Sequence, residues 1–232
     1  MSSISPDIVT DGLVLCLDAA DKKSYSGSGT TWYDRSGEDN DGTLTGGTSF
    51  SSTNGGVLDF DGVDDYVTQG CDMSSFSKFS LCFWAKTDDD GSVSNSTQAL
   101  AGNYPSGGTY IRMNFNGDKM YLLFNVNGNE SSPYDSATIY YTDITPTEFN
   151  YYTVTIEDDD TQNIYVNGIL KSTESIGAAI TTGLNTSFEA IGAYASYFWE
   201  GQLASCCIYN KKLSAAEVLQ NFNAMKSRFG IT

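Results

Sequence analysis

Carboxylates are the side chains most able to do chemistry in this chain, and their spacing decides which chemistry is open to them. Two acids facing each other across a sugar would serve a glycosidase as acid and base, or as acid and nucleophile. The compact pattern Glu-x-Asp-x-x-Glu would supply such a pair from one strand. The eight glutamates (Glu38, Glu130, Glu148, Glu157, Glu174, Glu189, Glu200 and Glu217) never fall within five residues of one another. Glu157 with Asp158, Asp159 and Asp160 is the densest acidic run, but it reads as a hairpin tip where water keeps every carboxyl ionised. Asp61, Asp64 and Asp65 beside Gly62 allow two readings, a solvated turn or a structural calcium site completed by a distant carbonyl or Asp18. Their spacing is not that of an EF-hand, in which the glycine follows five ligand-bearing positions. Asp88 to Asp90 before Gly91, and Asp39-Asn40-Asp41 before Gly42, read as exposed turns.

The chain has no histidine, so it cannot build a Ser-His-Asp or Cys-His relay, nor a histidine-bearing zinc site. Its five cysteines (Cys16, Cys71, Cys82, Cys206 and Cys207) show no Cys-x-x-Cys spacing and mostly sit in apolar strand patterns, which favours packing over metal or redox work. Adjacent Cys206 and Cys207 should point to opposite faces of one strand. Twenty-nine acids against twelve bases give a formal charge of -17, which repels phosphate backbones and anionic membranes. The first residues have neither a basic nor an apolar signal region, and no run approaches a membrane span. The expectation is synthesis and folding in a cytoplasm. The Asn95, Asn129 and Asn185 sequons are then expected to stay bare.

The elements that must position these groups are strands. In Phe79 to Thr87, Phe79, Leu81, Phe83 and Ala85 face one way, and Ser80, Cys82, Trp84 and Lys86 the other, so the strand has a core side and a wet side. Further strands are expected at Leu13 to Asp18, Val57 to Phe60, Asp65 to Thr68, Thr109 to Phe115, Met120 to Val126 and Ala137 to Tyr141. Four more are expected at Tyr151 to Glu157, Asn163 to Val166, Phe188 to Ile191 and Leu203 to Tyr209. Asn116-Gly117, Asn127-Gly128 and Asn167-Gly168 supply the positive φ that tight hairpins need. Ser24 to Thr31 and Thr45 to Gly56 read as long surface loops. One helix is predicted, over about 214–229: Ser214 and Glu217 make a capping box, Leu213 and Val218 a hydrophobic staple, and Gly230 a stop. The 40% hydrophobic and 13% aromatic content can fill one core. Many short strands without intervening helices specify an all-β, antiparallel two-sheet sandwich, a single domain over residues 1–232, with the helix as a terminal plug.

Several motifs add a family resemblance. Leu13-Val-Leu-Cys-Leu-Asp18, Trp32-Tyr-Asp34-Arg-Ser-Gly37, Asn40-Asp-Gly42, Phe60-Asp-Gly-Val-Asp-Asp-Tyr66, Tyr165-Val-Asn-Gly168, Ile191-Gly192 and Gly201-Gln-Leu203 resemble LamG-like jelly rolls over nearly the whole chain. The resemblance implies the concanavalin A-like jelly-roll fold. The opening block and the ending Leu213 to Asn223 also resemble stand-alone LamG-like proteins of bacteriophages infecting marine bacteria, which implies a virion structural or host-contact part. Phe79 to Ala85 followed by Phe198 to Tyr209 is similar to strands of the pentraxins, whose calcium is held by two edge loops. The corresponding loops, Asn103 to Gly108 and Ala193 to Tyr197, contain no carboxylate, so that calcium site is expected to be absent.

The same correspondence implies that these two loops meet at one edge. Tyr104, Tyr194, Tyr197 and Trp199, with Arg112 just beyond the first loop, are then the candidates for ligand binding. Flat amphipathic rings suit sugar stacking, and Arg112 could donate two hydrogen bonds to hydroxyls or a carboxylate. The rings would serve protein contact or plain packing equally well. The resulting expectation is a non-enzymatic structural or host-contact protein at a virion surface. Its partners would be other virion proteins or a host glycan, with homo-oligomers conceivable and no cofactor beyond a structural calcium. The alternative is a carbohydrate-binding lectin module, and after it a polysaccharide-cleaving enzyme assembled from distant acids.

Overall fold

The computed structural model describes residues 7–90, 96–102, 110–116, 119–125, 136–140, 144–157, 161–175 and 188–232. The strands in chain order begin with β1 (Leu13–Asp18), β2 (Thr31–Trp32), β3 (Gly42–Thr45), β4 (Ser49–Ser51), β5 (Val57–Asp61), β6 (Tyr66–Gln69), β7 (Lys78–Thr87), β8 (Ser96–Gly102) and β9 (Tyr110–Asn116). They continue with β10 (Lys119–Asn125), β11 (Ser136–Tyr140), β12 (Asn150–Glu157), β13 (Thr161–Val166), β14 (Ile169–Ser175), β15 (Ala190–Ile191), β16 (Ala193–Tyr194), β17 (Tyr197–Phe198) and β18 (Glu200–Tyr209). One sheet runs β14-β13-β12-β7-β18-β5-β4, with β1 also paired to β18. The other runs β11-β10-β9-β8-β15-β6-β3-β2, and β16-β17 form a separate hairpin. Pairing is antiparallel throughout, as hairpin-rich sequences dictate.

The two sheets bury one shared core. Leu81, Phe83, Val154 and Ile208 from the first sheet, and Val67, Leu100, Ile111 and Met113 from the second, lie in a single apolar cluster. At β18, Cys206 turns into this cluster and Cys207 away from it, as the alternation requires. The tight turn between β13 and β14 is made by Asn167 (φ 52°) and Gly168 (φ 77°), the backbone a two-residue hairpin needs. Asn167 also ties neighbouring segments together, accepting from the Tyr151 amide and donating to Asn150 Oδ1, both at 2.8 Å.

The wet side expected for β7 is corrected. Ser80 and Trp84 are fully buried and Cys82 nearly so, because the C-terminal segment folds back over that row. Ser80 Oγ donates to the Lys211 carbonyl (2.8 Å) and accepts from the Leu213 amide (2.9 Å), fixing the approach to the helix. The helix, α1 (Ala215–Met225), then continues as a 3-10 turn over Lys226–Phe229 and closes at Gly230 with left-handed φ. Its capping box is formed: Ser214 Oγ accepts from the Glu217 amide, and the Ser214 amide donates to Glu217 Oε2. Lys211 beside Glu217 holds that carboxyl below its ordinary range, with the Ser214 amide as a second cause. Phe222 and Phe229 stack on Trp84 with ring centroids 5.7 and 4.4 Å away. Asn221, almost fully buried, accepts from the Val9 amide and donates to the Tyr209 hydroxyl, which donates to the Val9 carbonyl. Arg228 reaches Asp18 at 2.8 Å and the carbonyls of Asn54 and Gly56, pinning the segment after α1 to the end of β1 and to the turn before β5.

The expected loop from Thr45 to Gly56 contains a strand, β4, paired with β5. Its Ser-Phe-Ser sequence has no apolar alternation; pairing with β5 and the packing of Phe50 on Tyr25, with ring centroids 5.5 Å apart, recruit it. The Asn127–Gly128 turn and the acidic run at 158–160 lie outside the described residues.

Candidate functional site

The outer face of the second sheet carries the arrangement of greatest functional interest, and strand alternation puts it there. On β9, Ile111 and Met113 go into the core, so Tyr110, Arg112 and Asn114 fall on the opposite face. On the neighbouring β8, Ala99 pairs with Arg112. Its small side chain is fully buried against Tyr110 and Tyr194.

The β16-β17 hairpin folds over this face. It leaves β15 through Gly192, whose φ of 86° and proximity to Phe60 exclude a side chain: an added Cβ would sit 2.7 Å from the Phe60 ring. The Gly192 amide donates to the Leu100 carbonyl, and the Gly192 carbonyl accepts from the Trp199 amide, closing the hairpin's base. At its far end Tyr194 pairs with Tyr197 around Ala195, which is itself left-handed at φ 52°.

These elements bring Arg112, Tyr194 and Tyr197 together, as the sequence suggested. The Arg112 guanidinium carbon lies 4.6 Å from the Tyr110 ring centre and 5.9 Å from that of Tyr197. Tyr194 packs on Tyr110 at 4.3 Å between centroids, tilted by 49°. Each cation–ring contact stabilises by about 0.5–1 kcal/mol at exposed sites and more where water is excluded. Tyr194 is 6% exposed and Tyr197 37%, so Tyr197 is the ring with an open surface. Among the described residues Arg112 has no carboxylate partner. Its Nε is buried without an acceptor, and Asn114 Oδ1, two residues along the same face, is buried without a donor. Tyr110 belongs to this group although sequence reasoning passed over it. Its signal was available, since it stands two residues before Arg112 and must share its face.

Trp199 does not belong to the site, which corrects the expectation for that residue. It is fully buried in the core between the sheets, because closure of the hairpin at Gly192 turns its indole inward. It anchors the hairpin from beneath. Tyr104 lies outside the described residues.

The Asp61, Asp64 and Asp65 carboxyls gather at the turn from β5 to β6, each offering an oxygen within 4.8 Å of the others. Asp61 and Asp64 are exposed and Asp65 is 3% exposed. Asp65 Oδ2 accepts from the Asp61 amide at 2.9 Å, while Oδ1 has no donor. Burial raises the Asp65 pKa first, and the neighbouring Asp61 and Asp64 charges add to it. Asp34 shows the contrasting case: its two oxygens accept from the Cys16, Ser36 and Asn40 amides and from the Ser36 hydroxyl, so its work is to knot the 34–41 loop onto β1.

Comparison with known proteins agrees with the fold. Residues 60–219 match the family described as the Concanavalin A-like lectin/glucanases superfamily. No protein of curated function matches the sequence. The binding domain of botulinum neurotoxin DC in complex with SialylT superposes with a TM-score of 0.70 at 17% identity, over 93% of this chain and 52% of that one. A structure described under the finding that cell entry of botulinum neurotoxin type C depends on interaction with two ganglioside molecules gives 0.70 at 18% identity, over 94% and 52%. The binding domain of Paraclostridial Mosquitocidal Protein 1 gives 0.66 at 16% identity, over 93% and 52%. The chain spans about half the length of the solved chains it matches, and at these identities the likeness concerns fold alone.

Proposed function

We propose that this chain, which belongs to the Concanavalin A-like lectin/glucanases superfamily, is a non-enzymatic recognition module that holds a saccharide on the outer face of its second sheet. The observation that carries the reading is the Arg112 guanidinium against the Tyr110 and Tyr197 rings, with no carboxylate partner among the described residues and with Tyr197 open beside it. A pyranose presents an apolar C–H face and a rim of hydroxyls. The Tyr197 ring suits the first, and a planar guanidinium fork suits two neighbouring oxygens of the second, whether hydroxyls or a carboxylate. The packing of Tyr194 on Tyr110 holds the guanidinium's support in place before any ligand arrives, which lowers the ordering cost of binding.

The receptor-binding character of the neurotoxin domains supports recognition over catalysis. A glycosidase reading would need two desolvated carboxyls about 5–10 Å apart across a cleft. Among the described residues Asp65 is the buried carboxylate, and its two neighbours belong to the same short turn. Carried on a phage particle, as the LamG-like phage resemblance suggests, the module would contact a host surface glycan.

The test is a glycan array with the purified chain, followed by calorimetry on the best ligand with Tyr197→Ala and Arg112→Gln. Losing the ring contact, about 0.5–1.5 kcal/mol beyond burial, predicts a roughly 2- to 12-fold weaker complex for Tyr197→Ala. Losing a charge-assisted hydrogen bond, about 1.5–3 kcal/mol, predicts at least tenfold for Arg112→Gln. Unchanged affinity in both variants would remove this face as the binding site.

A further inference from the structure

We infer that Cys16 and Cys207 form a redox site, in which hydrogen peroxide joins the two thiols in a reversible disulfide that staples β1 to β18. The two residues stand directly opposite each other in the antiparallel ladder, and Cys207 Sγ donates to Cys16 Sγ at 3.4 Å.

The backbone decides how near they come. The Cys16 amide donates to Asp34 Oδ1 at 2.8 Å and the Cys16 carbonyl accepts from the Arg35 amide at 2.9 Å, so both groups turn away from β18. Cys16 and Cys207 are therefore a non-hydrogen-bonded pair, the kind in which facing Cα atoms stand about 4.5 Å apart and side chains lie closest. Disulfides take Cα separations of about 4.4–6.8 Å, so the bridge asks for side-chain rotation and little movement of the strands.

Cys207 has a second cysteine beside it, Cys82 on β7. In a regular ladder a residue whose amide and carbonyl do not face β1 turns them to β7, which makes Cys207 and Cys82 the wider, hydrogen-bonded pair at about 5.5 Å. The Cys82 thiol is also engaged by the Tyr151 side chain. Spacing and hydrogen bonding both select Cys16.

A small oxidant has a way in. Cys16 and Cys207 line a cavity of about 290 Å³ together with Ile8, Ala224 and Met225, and each cysteine keeps 8% of its surface exposed. Cys71, Cys82 and Cys206 do not line it. Cys16, at which the Cys207 S–H points, is the attacking sulfur. Its thiolate attacks one peroxide oxygen, the O–O bond breaks, and the hydroxide released takes up the Cys16 proton and leaves as water. The Cys207 sulfur then attacks the sulfenic acid: the S–S bond forms, the S–O bond breaks, and the Cys207 proton leaves with that oxygen as a second water. The two thiols lose two electrons, and peroxide takes them up. The Cys16 hydrogen bond and burial hold the Cys207 thiol well above its ordinary range, so the bond forms slowly, over hours rather than seconds. The inference does not depend on what the second sheet binds.

The experiment incubates the reduced, folded chain with hydrogen peroxide, alkylates the remaining thiols after unfolding and maps the peptides by mass spectrometry, with scanning calorimetry on the same samples. The expected result is a peptide pair joined through Cys16 and Cys207. Tm should rise by roughly 4–16 °C, as a bridge that closes a long loop gives in a chain of this size, and dithiothreitol should return it to the starting value. Cys16→Ala and Cys207→Ala should form no bridge and show no rise in Tm with peroxide; the parent's peptide map decides should either fail to fold. Free thiols at both positions after long exposure, Cys207 joined to Cys82, sulfinic acid in place of a bridge, a bridge that leaves Tm unchanged or lower, or an undiminished rise in Cys16→Ala would each overturn the inference.

Discussion

Truncating Phe222 to alanine tests how the first sheet's outer row is sealed. Phe222 is 8% exposed and stacks on the fully buried Trp84 at 5.7 Å, with Tyr151 at 6.4 Å on the same side. Removing the ring deletes its transfer free energy and leaves a gap that Trp84, held on its other neighbours, cannot fill by collapse. Substitutions of this kind cost about 3–5 kcal/mol. In a chain of this size each kcal/mol lowers Tm by about 2–4 °C, so the expected fall is roughly 6–20 °C. Scanning calorimetry measures it, and a red shift in native-state emission should accompany it because Trp84 gains contact with water. Leu219, three residues earlier on the same helix and 44% exposed, is the internal control: its alanine variant should lose less than about 1 kcal/mol. A Phe222→Ala loss no larger than that of Leu219→Ala would refute the helix as the cover of β7.

Three further outcomes follow from particular contacts. Trp199→Ala should cost about 3–5 kcal/mol in urea unfolding, because its indole is fully buried beneath the hairpin; a variant that unfolds like the parent yet loses ligand would return Trp199 to the binding surface. Burial pushes the Cys71 thiol up to about 12 and the Cys82 thiol up to about 11 from an ordinary value of 9.0. Their neutral forms are favoured on folding, so this stability is whole below pH 9 and is lost as pH rises towards 11–12, which pH-dependent urea midpoints would record. All five cysteines are buried, so a thiol reagent at pH 8 should label none of them before unfolding, and fast labelling of the native chain would contradict the packing.

The sheets were largely legible in the sequence because period-two alternation reports burial directly. β1 matches its predicted bounds, and the capping box at Ser214 and Glu217 fixed where the helix begins. What alternation cannot report is a cover supplied from far along the chain. Ser80, Cys82 and Trp84 looked solvent-facing because the segment that buries them starts 131 residues away, at the Lys211 carbonyl. β4 and β8 were missed for a related reason: their serines, glycine and alanines carry little hydrophobic signal and are held by pairing with neighbours. At the candidate site, the proximity of Arg112, Tyr194 and Tyr197 was expected through resemblance between edge loops, whereas that of Tyr110 needed only the two-residue period. Trp199 was misplaced because parity does not carry through Gly192 and the hairpin closure. That break is a tertiary hydrogen bond no local pattern records.

The most direct measurement of the central claim is a crystal structure of the chain with the glycan that binds it best on an array. The account predicts a sugar ring within about 4.5 Å of the Tyr197 face, with two of its oxygens on the Arg112 guanidinium and the hairpin unmoved. A glycan seated on the first sheet, or at an end of the sandwich remote from Arg112, would contradict it.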